Sequence, residues 1–114
     1  MKWLFGGVDR LNSKAKGSAG ERELAEILRQ AGHTEAHRNE QRYIGGKENP
    51  DVSLEGFHVE VKRAEKFNAY SALEQAEADA NGKAIPIVCH RRNRKPWIVI
   101  MKLTDWLKMM KPRP

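Results

Sequence analysis

The chain has 114 residues, a formal net charge of +6 at pH 7 and a third of its residues charged. This length suits one domain with one ordinary core, and the basic excess favours a polyanionic partner such as nucleic acid. The single cysteine, Cys89, excludes a disulfide framework and indicates a reducing compartment, and no apolar run approaches the ~20 residues of a membrane span.

The first part of the chain predicts an irregular arm over residues 1–16 and then a helix over Ser18–Ala31. Ser18 is a good N-cap, Glu21 completes a capping-box pattern with it, and Gly32 stops the helix. Glu21 also lies at the edge of the apolar stripe, where acids are rare unless they are paired or bound. Capping and a site role are therefore both open for Glu21.

A short strand is predicted over residues 33–38, followed by a polar loop over 39–48. Gly45-Gly46 allows a close backbone approach, and the loop leads directly to Asp51. The loop is therefore either a flap that contacts substrate or an ordinary surface loop. The chain has four histidines whose positions show no metal-ligand spacing, so no zinc site is expected: His33, His37, His58 and His90.

The next segment predicts a hairpin with strands over 52–55 and 57–63. Successive side chains of a strand point to opposite faces, so Glu60 and Lys62 share the face opposite two core-facing valines. Asp51 begins the neighbouring strand. Nearby carboxylates repel, and a hard cation such as Mg²⁺ takes oxygen ligands of this kind, while a lysine beside it can orient water. An exposed salt-bridged hairpin is the alternative.

The second half of the chain predicts three further elements and a basic loop. A helix with small apolar residues covers 69–81, and a strand over 84–89 has the continuous apolar pattern of a strand covered on both faces. A basic hairpin over 90–96 leads to a returning strand over 97–101, and suits phosphate contact or a solvated turn. A last short helix, capped by Thr104-Asp105, ends before a basic tail.

Taken together, four motifs resemble a known family. Eight residues separate Asp51 from Glu60, as in the PD-(D/E)xK nuclease signature. The full set spans about residues 14–104 and resembles the archaeal-type Holliday junction resolvases, with similar sequences in phages. The motifs are Lys16-Gly17-Ser18-x-x-Glu21-Arg22-Glu23-Leu24, then Arg38, then Pro50-Asp51, then Glu60-Val61-Lys62.

This resemblance implies an α/β fold with a restriction-endonuclease-like core, in which helices flank a central mixed β-sheet of about five strands. It further implies a single nuclease domain over residues 1–114, with an N-terminal arm and a frayed tail at 111–114. The implied protein is a homodimer, and the single cysteine and short apolar runs predict the cytoplasm of a cell or an infected host as its location. It would cut four-way DNA junctions by paired incisions, with Mg²⁺ or, as a substitute, Mn²⁺.

The site residues follow from the same resemblance. The implied catalytic residues are Glu21, Asp51, Glu60 and Lys62, and the implied metal ligands are Asp51, Glu60, the Val61 carbonyl and Glu21. The family often has a serine shortly before the aspartate, and whether Lys47 or Glu48 replaces it here is open. The predicted DNA-binding residues are Lys14, Lys16, Arg22, Arg38, Arg42, Lys47, Arg63, Arg91, Arg92, Arg94 and Lys95.

Two other functions remain compatible with the sequence. The first is a different nuclease on the same core, acting on duplex, flap or damaged DNA. The second is a DNA-binding module without catalytic activity, although such a module has no need for three carboxylates that repel phosphate. Cleavage of labelled junction, duplex and flap DNA distinguishes the three.

Overall fold

The structure is a computed structural model that describes residues 13–40, 43–44 and 47–112, with side chains described over 15–40 and 49–112. Three helices and seven strands lie in these residues. In chain order they are α1 (Ser13–Gln30), β1 (His37–Arg38), β2 (Tyr43–Ile44), β3 (Lys47–Glu48), β4 (Val52–Leu54), β5 (Phe57–Arg63), α2 (Ala69–Ala80), β6 (Ile85–Arg91), β7 (Ile98–Ile100) and α3 (Leu103–Met109). None of these helices is both long enough and apolar enough to cross a bilayer.

A mixed sheet organises the fold. In the described residues its strand order is β1-β4-β5-β6-β7, and β2 pairs separately with β3. β4 and β5 form an antiparallel hairpin, β5 and β6 are parallel, and β7 returns antiparallel to β6. The parallel pair needs a crossover, which α2 supplies. The predicted α/β fold with a central mixed sheet of about five strands is confirmed.

The two faces of the sheet carry different helices. On one face, α1 contributes Leu24 to a core that includes Val59 and Val61 of β5. On the other face, Val88 of β6 packs against the small residues of α2, among them the fully buried Ala76. Small residues let α2 lie close to the sheet, so each face of β5 is covered.

Cys89 lies in the core on the α1 side and is 4% exposed. Burial raises the pKa of its thiol to about 11, since a thiolate is poorly solvated there. The prediction of a buried small apolar residue is confirmed.

The start of α1 corrects the sequence prediction. The helix already includes Ser13, so residues 13–16 are helical rather than part of an irregular arm, and Ser18 lies inside the helix. The Ser18 capping box is therefore wrong. The helix continues through Gly17 because a glycine costs only about 1 kcal/mol in a helix relative to alanine. The rest of the predicted arm, residues 1–12, lies outside the described residues.

Other boundaries also differ. The segment before β1 forms a turn, closed by a hydrogen bond from the Ala36 N–H to the His33 carbonyl, so the strand is limited to two residues. β6 extends to Arg91, two residues past the prediction, because β5 remains paired with it to Arg63. α3 begins at Leu103 without a side-chain cap, so the predicted Thr104-Asp105 cap is wrong.

Candidate active site

Asp51 lies at the entry to β4, beside the middle of β5. Its N–H donates to the Val59 carbonyl at 2.8 Å, and its Oδ2 accepts from the Val61 N–H at 2.8 Å. The β4–β5 ladder ends at the pair Val52–Val59, whereas β5 continues to Arg63. Asp51 therefore bonds to β5 on either side of Glu60, which puts the two motif acids at adjoining positions of neighbouring strands.

Glu60 projects from β5 toward α2. Its partner on β6 is Val88, which packs under α2, whereas Val59 and Val61 face α1. Only 4% of Glu60 is exposed, and its Oε1 has no hydrogen-bond partner among the described residues. A buried carboxylate without a partner is costly. Its position therefore suits a bound cation, and oxygen donors of this kind are what Mg²⁺ prefers.

Lys62 follows Glu60 by two residues and lies on the same face of β5. It is half-buried, and its partner on β6 is His90. The His90 Nε2 lies 2.9 Å from the Ala64 carbonyl, and the His90 ring contacts Phe67 at 3.8 Å between ring centroids. This part of the predicted site lies at the end of β5, beside the end of β6 that leads into the basic hairpin.

Two further residues share the surroundings of Glu60. The Nε2 of His58 lies 3.8 Å from Glu60 Oε1 and, like that oxygen, lacks a hydrogen-bond partner among the described residues. Asp79 of α2 completes a group in which one ligand atom from each residue lies within 4.8 Å of the others. This group was not predicted from the sequence, because Asp79 belongs to another element and no spacing pattern connects it with β5. The sequence does contain one hint of the group: His58 and Glu60 are two residues apart, so they lie on the same face of a strand.

Glu21 lies on the other side of the sheet. It is 7% exposed in α1, and the Arg38 Nε donates to its Oε1 at 2.8 Å. Arg38 also donates to the Ser18 hydroxyl at 3.1 Å. The Asn39 N–H, next along the chain, donates to the Asp51 carbonyl. Glu21 is thus connected to the Asp51 segment through residues 38–39, and its carboxylate is paired with arginine.

The four predicted catalytic residues are therefore brought together in part. Asp51 adjoins Glu60 and Lys62 on the β4–β5 hairpin, whereas Glu21 and Glu60 occupy opposite faces of the sheet. Within residues 15–40 and 49–112, the group of acids and histidines close enough to share one ion contains Glu60 but neither Glu21 nor Asp51. The catalytic and metal-ligand assignments stay predictions.

The basic hairpin between β6 and β7 is anchored to α1. Glu23 Oε1 accepts hydrogen bonds from Arg91 Nη1 at 2.8 Å and from Trp97 Nε1 at 2.9 Å. Arg63 Nη2 donates to Asn93 Oδ1 at 2.9 Å, which also ties the end of β5 to the hairpin. These contacts hold the loop in place and engage two of the predicted DNA-binding arginines within the protein.

The other predicted DNA-binding residues differ in exposure and in whether they form ion pairs within the protein. Lys16 lies 4.0 Å from Glu65, in a weak ion pair. Arg38 is engaged by Glu21. The side chains of Lys14, Arg42 and Lys47 lie outside the described ones. The exposed cations are Arg22, Arg92, Arg94 and Lys95. All of these assignments stay predictions.

An open cleft of about 620 Å³ lies between the basic hairpin and the start of α2. Its lining includes Lys66, His90, Arg92 and Lys95. Because His90 is the β6 partner of Lys62, the cleft begins next to the Lys62 end of the candidate site. A phosphate backbone in this cleft would meet cations along its length.

The anchor of the hairpin makes a pH-dependent contribution to stability. Partial burial acts to raise the pKa of Glu23, but the hydrogen bonds from Arg91 and Trp97 and the nearby arginine charges lower it on balance. The contribution is therefore present above the ordinary pKa of 4.5 and is lost as pH falls through the lowered value of the folded protein.

We expect Glu23→Gln to lower the free energy of unfolding at pH 7 by about 0.5–1 kcal/mol, because this half-exposed pair is screened by solvent. The difference from wild type should shrink below pH 4.5. Urea unfolding across pH 3–7, monitored by tryptophan fluorescence, measures it. A difference that persists unchanged at pH 3 would contradict this role of the charge. Glu74→Gln, on the exposed side of α2, is the control for losing one acid.

Comparison with known proteins adds a family and a fold. A family model described as "Phage putative PDDEXK endonuclease" matches residues 12–113. A solved structure of Hjc from Archaeoglobus fulgidus, a Holliday junction resolvase, matches with a TM-score of 0.58 and 24% identity over 75% of this chain and 76% of that chain. None of the curated proteins is significantly similar in sequence. The structural match, at this identity, bears on the fold.

Proposed function

Since the chain belongs to the family of phage putative PDDEXK endonucleases, we propose that it is a Mg²⁺-dependent endodeoxyribonuclease that resolves four-way DNA junctions. One observation carries the proposal: Asp51 is fastened to the backbone of β5 on either side of Glu60, with Lys62 next on the same face as Glu60. Two carboxylates and a lysine therefore lie beside one another at β5, and metal-assisted phosphodiester hydrolysis uses groups of these kinds.

The metal would be held by the carboxylates of Asp51 and Glu60 and by the Val61 carbonyl. The buried position of Glu60, beside an Asp51 that is bonded to β5 on either side of it, supports this donor set. A bound divalent ion supplies Lewis-acid activation of the phosphate and stabilises the leaving oxygen. Glu21 was predicted to join directly or through water, but it is paired with Arg38 on the other face of the sheet. It would therefore act only indirectly, through the hydrogen bond that links Asn39 to Asp51. Mn²⁺ should substitute for Mg²⁺.

The protein's own residues would do the remaining work. Lys62 would orient the attacking water and support its deprotonation. The cleft beside His90 would hold the phosphate backbone through Arg92 and Lys95. Arg91 and Arg63 would act indirectly, because they hold the hairpin through Glu23 and Asn93.

The choice of a four-way junction rests on the likeness to the archaeal resolvase fold and on symmetry. A junction has two-fold symmetry and must be cut on two strands, which a symmetric homodimer satisfies. The second candidate is a nuclease of the same family that acts on duplex or flap DNA, and the family description, which names no substrate, is equally compatible with it.

One assay tests the function and its substrate together. The protein is incubated with end-labelled four-way junction, duplex and flap DNA, with Mg²⁺ or with EDTA. We expect paired symmetric nicks in the junction, none in EDTA, and at least about tenfold slower cutting of duplex. Cutting of duplex or flap at the junction's rate would favour the second candidate, and gel shifts without cuts under Mg²⁺ would refute catalysis.

A further inference from the structure

Two buried polar atoms, one of Glu60 and one beside it, have no hydrogen-bond partner among the described residues. His58 and Glu60 are 5% and 4% exposed, and their facing atoms, Nε2 and Oε1, are 3.8 Å apart without a hydrogen-bond partner in the described part of the chain. Two buried polar atoms aimed at the same point, both unsatisfied, are costly in a folded protein. One bound cation would satisfy both.

Asp79 supplies the third ligand from the opposite element. One of its carboxylate oxygens lies within 4.8 Å of a ring nitrogen of His58 and of a carboxylate oxygen of Glu60. The Gln75 amide, one turn earlier on α2, donates to Asp79 Oδ2 at 3.0 Å and so orients the carboxylate. Support of this kind for a ligating carboxylate is typical of protein metal sites. The three ligands come from β5 and α2, so the site lies between the sheet and that helix.

The donor set favours zinc or a similar transition metal over magnesium. It combines an imidazole nitrogen with two carboxylates, and imidazole suits zinc, whereas Mg²⁺ takes oxygen ligands. Zinc binds nitrogen and oxygen at about 2.0–2.2 Å, so tetrahedral ligand atoms lie about 3.3–3.6 Å apart. The pair His58–Glu60 at 3.8 Å therefore needs to close by only a few tenths of an ångström. The absence of a histidine spacing signal does not exclude such a site, because Asp79 reaches it across the fold.

We infer that His58, Glu60 and Asp79 bind a Zn²⁺-like ion and that this ion competes with the active-site metal for Glu60. The competition rests on the proposed nuclease function; the zinc site itself does not. Glu60 has one carboxylate, and when it is held toward His58 and Asp79 it is withdrawn from Asp51. Zinc bound there would stabilise the fold and inhibit cleavage.

Zinc binding is tested first without any DNA. Untagged, metal-free full-length protein is titrated with Zn²⁺ by calorimetry and by thermal unfolding. We expect a rise in Tm of about 10 °C at 100-fold excess over the Kd. The separate variants His58→Gln and Asp79→Asn, from different elements, should each weaken zinc affinity by at least about tenfold, the loss seen even for groups that only orient a ligand.

Two controls separate the loss of a zinc ligand from the loss of one negative charge and from a failure to fold. Glu74→Gln removes an exposed acid from the same helix as Asp79 and should leave zinc affinity unchanged. Unfolding of each variant in EDTA shows that it is folded before zinc is added. Equal zinc stabilisation of wild type and both ligand variants, or no stabilisation of any, would overturn the site.

The competition is tested on junction DNA with Mg²⁺ held constant. We expect zinc to inhibit wild-type cleavage, and Asp79→Asn to need at least about tenfold more zinc for half inhibition, each rate being normalised to the same protein without zinc. Equal sensitivity of the two proteins would overturn the competition. A protein that shows the zinc-binding pattern but cuts no DNA under Mg²⁺ would contradict the nuclease function and leave the zinc site supported.

Discussion

Lys62→Ala should lower the single-turnover rate of junction cleavage by about 10²–10³-fold, the usual cost of removing one group that stabilises developing charge. The lysine is half-buried on the same face of β5 as Glu60, and its β6 partner His90 lines the basic cleft. In the proposed mechanism its ammonium acts on the reacting phosphate and water. Binding depends on many phosphate contacts, and the junction Kd should change by no more than about threefold. Single-turnover cleavage and gel-shift titrations measure the two quantities.

The matched control is Lys66→Ala. Lys66 is an exposed lysine that lines the same cleft, so its removal subtracts the same charge at a distance from Glu60. At saturating protein its cleavage rate should stay within about threefold of wild type, while its binding weakens and becomes less salt-dependent. Normal turnover of Lys62→Ala, or equal losses of binding and cleavage in that variant, would refute the assignment.

Gly20→Ala should destabilise the protein by up to about 2 kcal/mol, although alanine is the better helix former. An added Cβ at Gly20 would lie 2.9 Å from Arg63 Cβ and 3.1 Å from Arg63 Cγ. These atoms are near the backbone of β5 and cannot swing away. The strain of such overpacking, about 1–3 kcal/mol, exceeds the gain of about 1 kcal/mol in helix propensity.

Gly17→Ala provides the comparison within the same helix. An added Cβ at Gly17 meets nothing within 4 Å, so this change should stabilise the protein by about 1 kcal/mol through propensity alone. Urea unfolding of both variants measures whether each change raises or lowers the free energy of unfolding. Equal stability of Gly20→Ala and Gly17→Ala would contradict the close approach of Gly20 in α1 to Arg63 in β5. Because Glu21 follows Gly20, we also expect Gly20→Ala to slow cleavage.

The local patterns of the chain were enough to predict most of the sheet. Alternation along β5 separated Val59 and Val61 from Glu60 and Lys62, and the structure puts the two valines in the α1 core. Gly56, with φ of +87°, makes the hairpin turn that its sequence indicates. These features depend on neighbours along the chain, so their signal is present in the sequence.

Helix boundaries were harder to predict from the sequence than the strands. The Asn68 side chain caps α2 at the Ser71 N–H, close to the predicted start. At α1, by contrast, the equally plausible Ser18 cap was wrong, because the helix already includes Ser13 and the Ser18 hydroxyl accepts a hydrogen bond from Arg38 instead. A capping pattern states what a residue can do locally, and a tertiary partner decides whether it does so.

The sequence by itself determined the motif residues, the β4–β5 hairpin and the place of Asp51 beside the Glu60 strand, since each rests on short-range periodicity and spacing. The mixed sheet was predicted from the family resemblance. Only the tertiary structure decided that the Glu60 side chain meets His58 and Asp79 under α2, that Arg38 pairs with Glu21, and that Glu23 anchors the basic hairpin. Contacts of this kind join elements far apart in the chain, and packing geometry rather than any repeat in the sequence specifies them.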